Sequence, residues 1–331
     1  MAALAVLAAG CGADAEPSSG PIPVDSDPIA PTGYVKPLGA AVEVDHALED
    51  GAYRERLITT FTSITPENAM KWAVVEPERG EFDFKEADRL VQFAERTSMR
   101  VRGHPLVWDQ QLPDWLTEGD WSAPELKAIL REHIRTIMNR YRGRIDEWDV
   151  VNEPSAASGG LERNIWFRTL GPGWIEYAFR VAHRADPDAT LFLNELDAEG
   201  RGPRFRTYVA LARHLEQRGV PLEGVGFEFH LTGDDAPGPA RLHALARLTE
   251  RMGLSWAITE MDVADTHDQR QAQVYGDAAR ACADASHCTG VTVWGVTDRW
   301  SWLGPEAAPL PFDEDGNPKP ALEALVGPLR R

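Results

Sequence analysis

Trp148-Asp149-Val150-Val151-Asn152-Glu153-Pro154 is an apolar run that ends abruptly in Asn-Glu-Pro. Read as a strand, it delivers a carboxyl group to its own C-terminal end. The same grammar recurs on both sides of it. Short apolar runs fall at 36–41, 61–65, 99–107, 146–152, 190–194, 224–230, 255–260 and 289–296. Helical periodicity occupies much of the sequence between and after them, at 85–97, 123–141, 174–185, 205–218, 241–252, 269–285 and 320–326. Strands that alternate with helices predict an α/β fold, and eight of them predict a single (β/α)8 TIM barrel rather than two domains. The 331 residues leave room for one such barrel, and no internal repeat or mid-chain linker divides them.

In a barrel of this kind the C-terminal strand ends share one mouth, where the active site lies. Glu67, Asn68, His104, Asn152, Glu153, Glu228, His230 and Glu260 all fall at such ends. One polar residue at a strand end is ordinarily a cap or a solvated charge. So many, on different strands, point to a site.

Composition narrows the ligand. The chain has 34 Lys and Arg against 52 Asp and Glu, a formal net charge of −18. No basic cluster is present to meet nucleic acid, and the acidic surface disfavours polyanionic polysaccharides. A neutral substrate fits better. Eleven Trp residues supply flat apolar faces, although more than half are expected in the core.

Residues 1–11 read as a signal or lipoprotein-like segment, short and Ala-rich, leading into Ala8-Ala9-Gly10-Cys11. Cys11 is then a lipidation candidate, although the positively charged start of a signal is missing and a plain secretory signal is the alternative. Residues 12–33, rich in Pro, Ser, Gly and Asp, read as a disordered tether to the catalytic barrel at 34–331. The protein is expected to be exported, extracellular or a cell-surface lipoprotein, touching the membrane only through that lipid, and to be a monomer. Of the remaining cysteines, Cys282 and Cys288 stand six positions apart. In an exported protein such a pair is expected to close a small disulfide loop. A metal site there has only His287 for company, and the nine His residues are otherwise scattered, so neither metal nor cofactor is expected.

Glycoside hydrolysis needs one carboxylic acid and one carboxylate on opposite faces of a sugar ring. Glu153 and Glu260, the latter ending Trp256-Ala257-Ile258-Thr259-Glu260, can face each other from the fourth and seventh strands. Their contexts resemble glycoside hydrolase family 10, the xylanases. The resemblance runs from Gly39 to Ala324 through Thr65-Pro66-Glu67-Asn68-Ala69-Met70-Lys71-Trp72, Arg102-Gly103-His104 and Leu106-Val107-Trp108. It continues through 148–153, Gly224-Val225-Gly226-Phe227, Thr259-Glu260 and Thr292-Val293-Trp294-Gly295-Val296-Thr297-Asp298. Each motif is weak alone; their ordered set is specific.

The resemblance implies an endo-β-1,4-xylanase acting by double displacement, with Glu153 as acid/base and Glu260 as nucleophile. The carboxyl groups of a retaining pair lie about 5–5.5 Å apart, against roughly 6.5–9.5 Å in an inverting pair. It further implies that Glu67, Asn68 and Lys71 bind sugar on the non-reducing side, and that His104, Trp108 and Asn152 line the subsite of bond cleavage. Trp294 and Trp302 become aromatic walls. His230 stands beside the nucleophile with Asp262 orienting it, and Cys282 with Cys288 match a family disulfide before the last strand. The alternatives are a hydrolase of another β-linked glycoside and a non-catalytic carbohydrate-binding lipoprotein.

Three positions depart from the family pattern. Glu228 stands in place of Gln, adding a third carboxyl group that, if ionised, would raise its neighbours' pKa values. Asp109 replaces His after Trp108, to pair with a base or bind water. Asn194-Glu195-Leu196 replaces Asn-Asp-Tyr and removes an aromatic hydroxyl from the leaving-group side.

Overall fold

The computed structural model describes residues 33–265 and 267–330. The leader at 1–11, with Cys11, and all of the tether except Gly33 lie outside the described residues.

Among the described residues nine strands are present: β1 Leu38–Val42, β2 Ser63–Pro66, β3 Arg100–Gly103, β4 Glu147–Asn152, β5 Thr190–Glu195, β6 Gly224–Phe227, β7 His230–Thr232, β8 Ser255–Ala264 and β9 Cys288–Val293. Eight of them form a parallel ring in the order β6-β5-β4-β3-β2-β1-β9-β8, closed by pairing of β6 with β8. This is a (β/α)8 barrel. The ninth strand, β7, is an addition at the mouth, where His230 to Thr232 pair with Asp262 to Ala264 on the long upper half of β8.

The differences from the sequence reading have local causes. The run at 224–230 splits in two because Phe229 takes a φ of +66°, outside the strand region. The run at 99–107 leaves the ladder after Gly103, and Val107 keeps only an isolated bridge to Val151. The segment between β1 and β2 carries two helices, Val44–Glu49 and Gly51–Thr60, that apolar periodicity does not announce. The first is under two turns long, too short to establish a period. Asp50 separates them and caps the second, its carboxylate accepting from the N–H groups of Ala52 and Tyr53.

Elsewhere the amphipathic pattern works as expected. The helix Ala123–Tyr141 opens with a Ser122–Glu125 capping box and buries Leu126, Ile129, Leu130, His133, Ile134, Ile137, Met138 and Tyr141 along one face. Between the ring and its helices, Gly103 makes room for Trp148, which neighbours Tyr141: a Cβ on Gly103 would fall 2.2 Å from that indole. Trp72, Trp148, Trp166, Trp174 and Trp256 belong to the core and Trp115 and Trp121 pack partly buried against it, together more than half of the eleven Trp residues. Cys282 and Cys288 form the expected disulfide, tying the helix Asp268–Asp284 to the first residue of β9 at the N-terminal face.

Candidate active site

At the C-terminal mouth the ring opens into a cleft of about 480 Å³. Its lining contains Glu67, Asn68, Lys71, His104, Trp108, Asn152, Glu153, Glu228, His230, Glu260, Trp294 and Trp302, joined by Gln110, Gln111 and Leu196. All twelve expected cleft residues therefore meet in one place. Asp262 lies behind His230, fully buried.

Glu153 directly follows β4 in a left-handed backbone conformation, with φ +49°. A non-glycine residue adopts this only when its surroundings hold it. Here the N–H of Glu153 donates to the carbonyl of Asn194 (3.0 Å), and the N–H of Ser155, two residues on, donates to the buried Glu195 carboxylate (3.0 Å). The Glu153 carboxyl group accepts from Asn152 Nδ2 (3.3 Å) and Gln110 Nε2 (3.4 Å). Burial, and then the charge of Glu260, push its pKa up to about 7.

Glu260 is surrounded by donors. Its Oε1 accepts from Asn194 Nδ2 at 2.7 Å, and its Oε2 lies 3.3 Å from His230 Nε2. His104 Nδ1 stands 3.8 Å from Oε1. His230 is fixed from behind by Asp262, with Nδ1 2.9 Å from Oδ2. Burial opposes charge on this imidazole, but its hydrogen bonds to Asp262 and Glu260 prevail and lift its pKa to about 10. His230 is therefore a cation at neutral pH. Asp262 Oδ2 also accepts from Trp302 Nε1 at 2.7 Å, which anchors an indole that is otherwise 57% exposed at the rim.

Asn194, at the end of β5, is the hub. Its Oδ1 accepts from Thr259 Oγ1 (2.7 Å), which fixes the amide orientation and aims Nδ2 at Asn152 Oδ1, Glu228 Oε1 and Glu260 Oε1. Gly226 is the matching vacancy on β6, since a Cβ there would lie 2.0 Å from Asn194 Oδ1. Below the mouth, Arg102 grips both oxygens of Asp149 (3.0 and 2.5 Å), which in turn holds His104 Nδ1 at 3.1 Å. Burial raises the pKa of Asp149, but the charges of Arg102 and His104 more than offset it, and the carboxyl stays below its ordinary value.

On the other side of the cleft, Lys71 Nζ donates to Asn68 Oδ1 (2.7 Å), Asn68 Nδ2 donates to Glu43, and Lys71 sits 5.3 Å from the Trp108 ring. Glu67 is pushed up to about 7 by burial and then by Glu43. Lys71, Asn68 and Glu43 thus make a polar row suited to sugar hydroxyls.

The departures are located as well. Leu196 lines the cleft in place of an aromatic hydroxyl. Asp109 stands near Glu162, with no basic side chain bonded to it among the described residues. Burial, and then Glu162, raise its pKa. Glu228 is fully buried. Glu228, His230 and Glu260 present one potential ligand atom each within 4.8 Å of one another. Within this group His230 Nε2 lies closer to Glu260 (3.3 Å) than to Glu228 (3.8 Å), so the ion pair is His230 with Glu260.

Sequence reasoning placed Asn194 only among the departures and missed Glu43, Gln110 and Asp149. For Asn194 a signal existed, because it closes a strand just as Asn152 and Glu260 do. Asp149 sits within a strand and so carried no such signal, whereas Glu43 directly follows one, as Glu67 and Glu153 do, and the same rule would have found it.

A (β/α)8 barrel with two strand-end carboxyl groups in an aromatic-walled cleft defines a glycoside hydrolase. The profile of glycosyl hydrolase family 10 matches residues 29–328, and the chain belongs to that family. It is 36% identical to an endo-1,4-beta-xylanase of Agaricus bisporus over 90% of this chain and 96% of the relative. Xylanase 10B from Thermotoga petrophila RKU-1, in complex with xylobiose, superposes with a TM-score of 0.85 at 34% identity, covering 89% of this chain and 94% of that one. An intracellular xylanase from Thermoanaerobacterium saccharolyticum, in complex with xylotetraose, gives 0.84 at 31% identity, over 91% and 99% of the two chains.

Proposed function

We propose that this protein is a retaining endo-β-1,4-xylanase, with Glu153 as acid/base and Glu260 as nucleophile. The carrying observation is the contrast between the two carboxyl groups. Glu153 is buried and faces a negative charge, which pushes it up to about 7 and keeps a proton available for the leaving oxygen. Glu260 instead accepts from the Asn194 amide and lies against the His230 cation, the contacts a nucleophilic carboxylate makes. Glu260 attacks the anomeric carbon as Glu153 delivers its proton, and the sugar becomes covalently bound to Glu260. Glu153, now a base, draws a proton from water, which releases the sugar with its original configuration.

In this reading Glu67, Asn68 and Lys71 bind the non-reducing side, His104, Trp108 and Asn152 surround the reacting sugar, and Trp294 and Trp302 wall the cleft. The relatives' xylo-oligosaccharide complexes support xylan as the substrate. Release of reducing ends from xylan, compared with glucan and mannan and with product stereochemistry followed by NMR, tests the assignment. Inversion, or activity surviving Glu260→Ala, would overturn it.

We also propose export. The Ala-rich segment before Cys11 and the disulfide at Cys282–Cys288 support a compartment that permits oxidation. Mass spectrometry of the N-terminal peptide from a native host tests whether Cys11 carries lipid. The enzyme acts as a monomer in this account, which light scattering of the purified chain checks.

A further inference from the structure

The hydrogens around Glu228 can be counted. Asn194 Nδ2 has two and faces three acceptors: Asn152 Oδ1 at 2.7 Å, Glu260 Oε1 at 2.7 Å and Glu228 Oε1 at 3.1 Å. His230 Nε2 has one and lies 3.3 Å from Glu260 Oε2 but 3.8 Å from Glu228 Oε2. In both contests the nearer partner includes Glu260, and Glu228 takes what remains. Among the described residues, no other cationic side chain comes within 4.0 Å of it.

The remaining neighbours make ionisation worse. Glu260 on β8 and Asp149 on β4 face Glu228 as charges, the latter shared with Arg102; Glu153 after β4 and Glu195 on β5, the latter beside Arg204, are raised to about 7 and about 8 and add negative charge only as pH rises, and His230 on β7 opposes them. Two carboxylates in a buried cluster, with donors enough for one, do not both ionise.

We propose that Glu228 is a positioning residue that works as a neutral carboxylic acid, keeping its proton beside Glu260 so that the nucleophile alone carries the cluster's negative charge. Burial and then the charge of Glu260 raise its pKa well above the ordinary carboxylate range, in the same direction as the geometry. A protonated carboxyl group offers the cleft one O–H and one carbonyl oxygen, matching the donor-and-acceptor character of the amide it replaces. The proposal rests on Glu260 being the nucleophile.

The test is Glu228→Gln. An infrared difference spectrum of wild type minus variant at neutral pH should contain the carbonyl stretch of a protonated carboxyl group. The acid limb of kcat/KM on an aryl β-xylobioside, which reports ionisation of Glu260, should move by less than about half a pH unit. If Glu228 were ionised, the infrared band would be missing, and removing its charge would lower the acid limb by half a unit or more; either result overturns the proposal. Should Glu228→Gln fail to fold, Glu228→Ala supplies the same difference spectrum. The infrared reading needs no turnover, so it stands apart from the loss of activity in Glu260→Ala that tests the nucleophile itself.

Discussion

Asn194 Nδ2 lies 2.7 Å from Glu260 Oε1, so an amide near the end of β5 fixes a carboxylate midway along β8 across one intervening strand. The bond is charge-assisted and buried, and Thr259 locks the amide that makes it. Asn194→Ala should therefore lower kcat by about 10²–10³-fold, the usual cost of one preorganised donor. Steady-state kinetics on an aryl β-xylobioside, with circular dichroism to confirm folding, checks this. A loss of less than about threefold would show that the amide is a bystander.

The pH profile follows from Glu153. In the proposed mechanism the group acts protonated, and it is raised to about 7, so kcat/KM should decline as pH rises through that value. Part of the elevation comes from the charge of Glu260. In Glu260→Gln that charge is gone, and Glu153 should titrate at lower pH, as read by carbon NMR of labelled glutamate carboxyl groups.

Stability should depend on pH in the sense opposite to a salt-bridged protein. Glu67 and Glu199 are raised to about 7 and Glu195 to about 8, in each case first by burial. The folded values exceed the unfolded ones, so between pH 4.5 and about 8 the native state binds more protons than the unfolded state. Stability falls as pH rises through that window, by at most about 1.4 kcal/mol per group per unit. Thermal melts should give a higher Tm near pH 5 than near pH 8, and Glu195→Gln should flatten the difference.

Gly226→Ala places a methyl group 2.0 Å from Asn194 Oδ1, in a packed interior. The strands cannot part without cost, and a loss of about 1–3 kcal/mol is expected in urea denaturation. Activity should fall as well, because the hub amide moves with its neighbour.

The disulfide lies at the opposite face of the barrel from the cleft. Its loop is six residues long, and replacing both Cys282 and Cys288 by Ser should cost about 2 kcal/mol of stability while kcat stays within twofold. Comparison of melts and turnover for the double variant decides both parts.

Much of this was legible because strand ends in a barrel share one mouth, so residues far apart in sequence, such as Glu67 and Glu260, could be grouped before any coordinates. Hydrogen-bond direction was not legible. Nothing in Asn194-Glu195-Leu196 reveals that the first side chain reaches Asn152, Glu228 and Glu260 while the second accepts from the N–H of Ser155. The same holds for Glu228. Its position was evident, and a third ionised carboxylate was a fair inference from composition, but protonation depends on how many donors face it. The break at Phe229 was invisible for a related reason, since apolar runs do not report the sign of φ.

The bond between Trp302 and Asp262 has one more consequence. The indole N–H at the rim is tied to the acid behind His230, while the ring remains largely exposed. A sugar settling on that ring leans on a chain of contacts running inward to Glu260, so occupancy at the edge and electrostatics at the reaction centre are mechanically linked. Trp302 fluorescence should accordingly report titration of the buried cluster even in the absence of substrate, an optical handle on groups that solvent scarcely reaches.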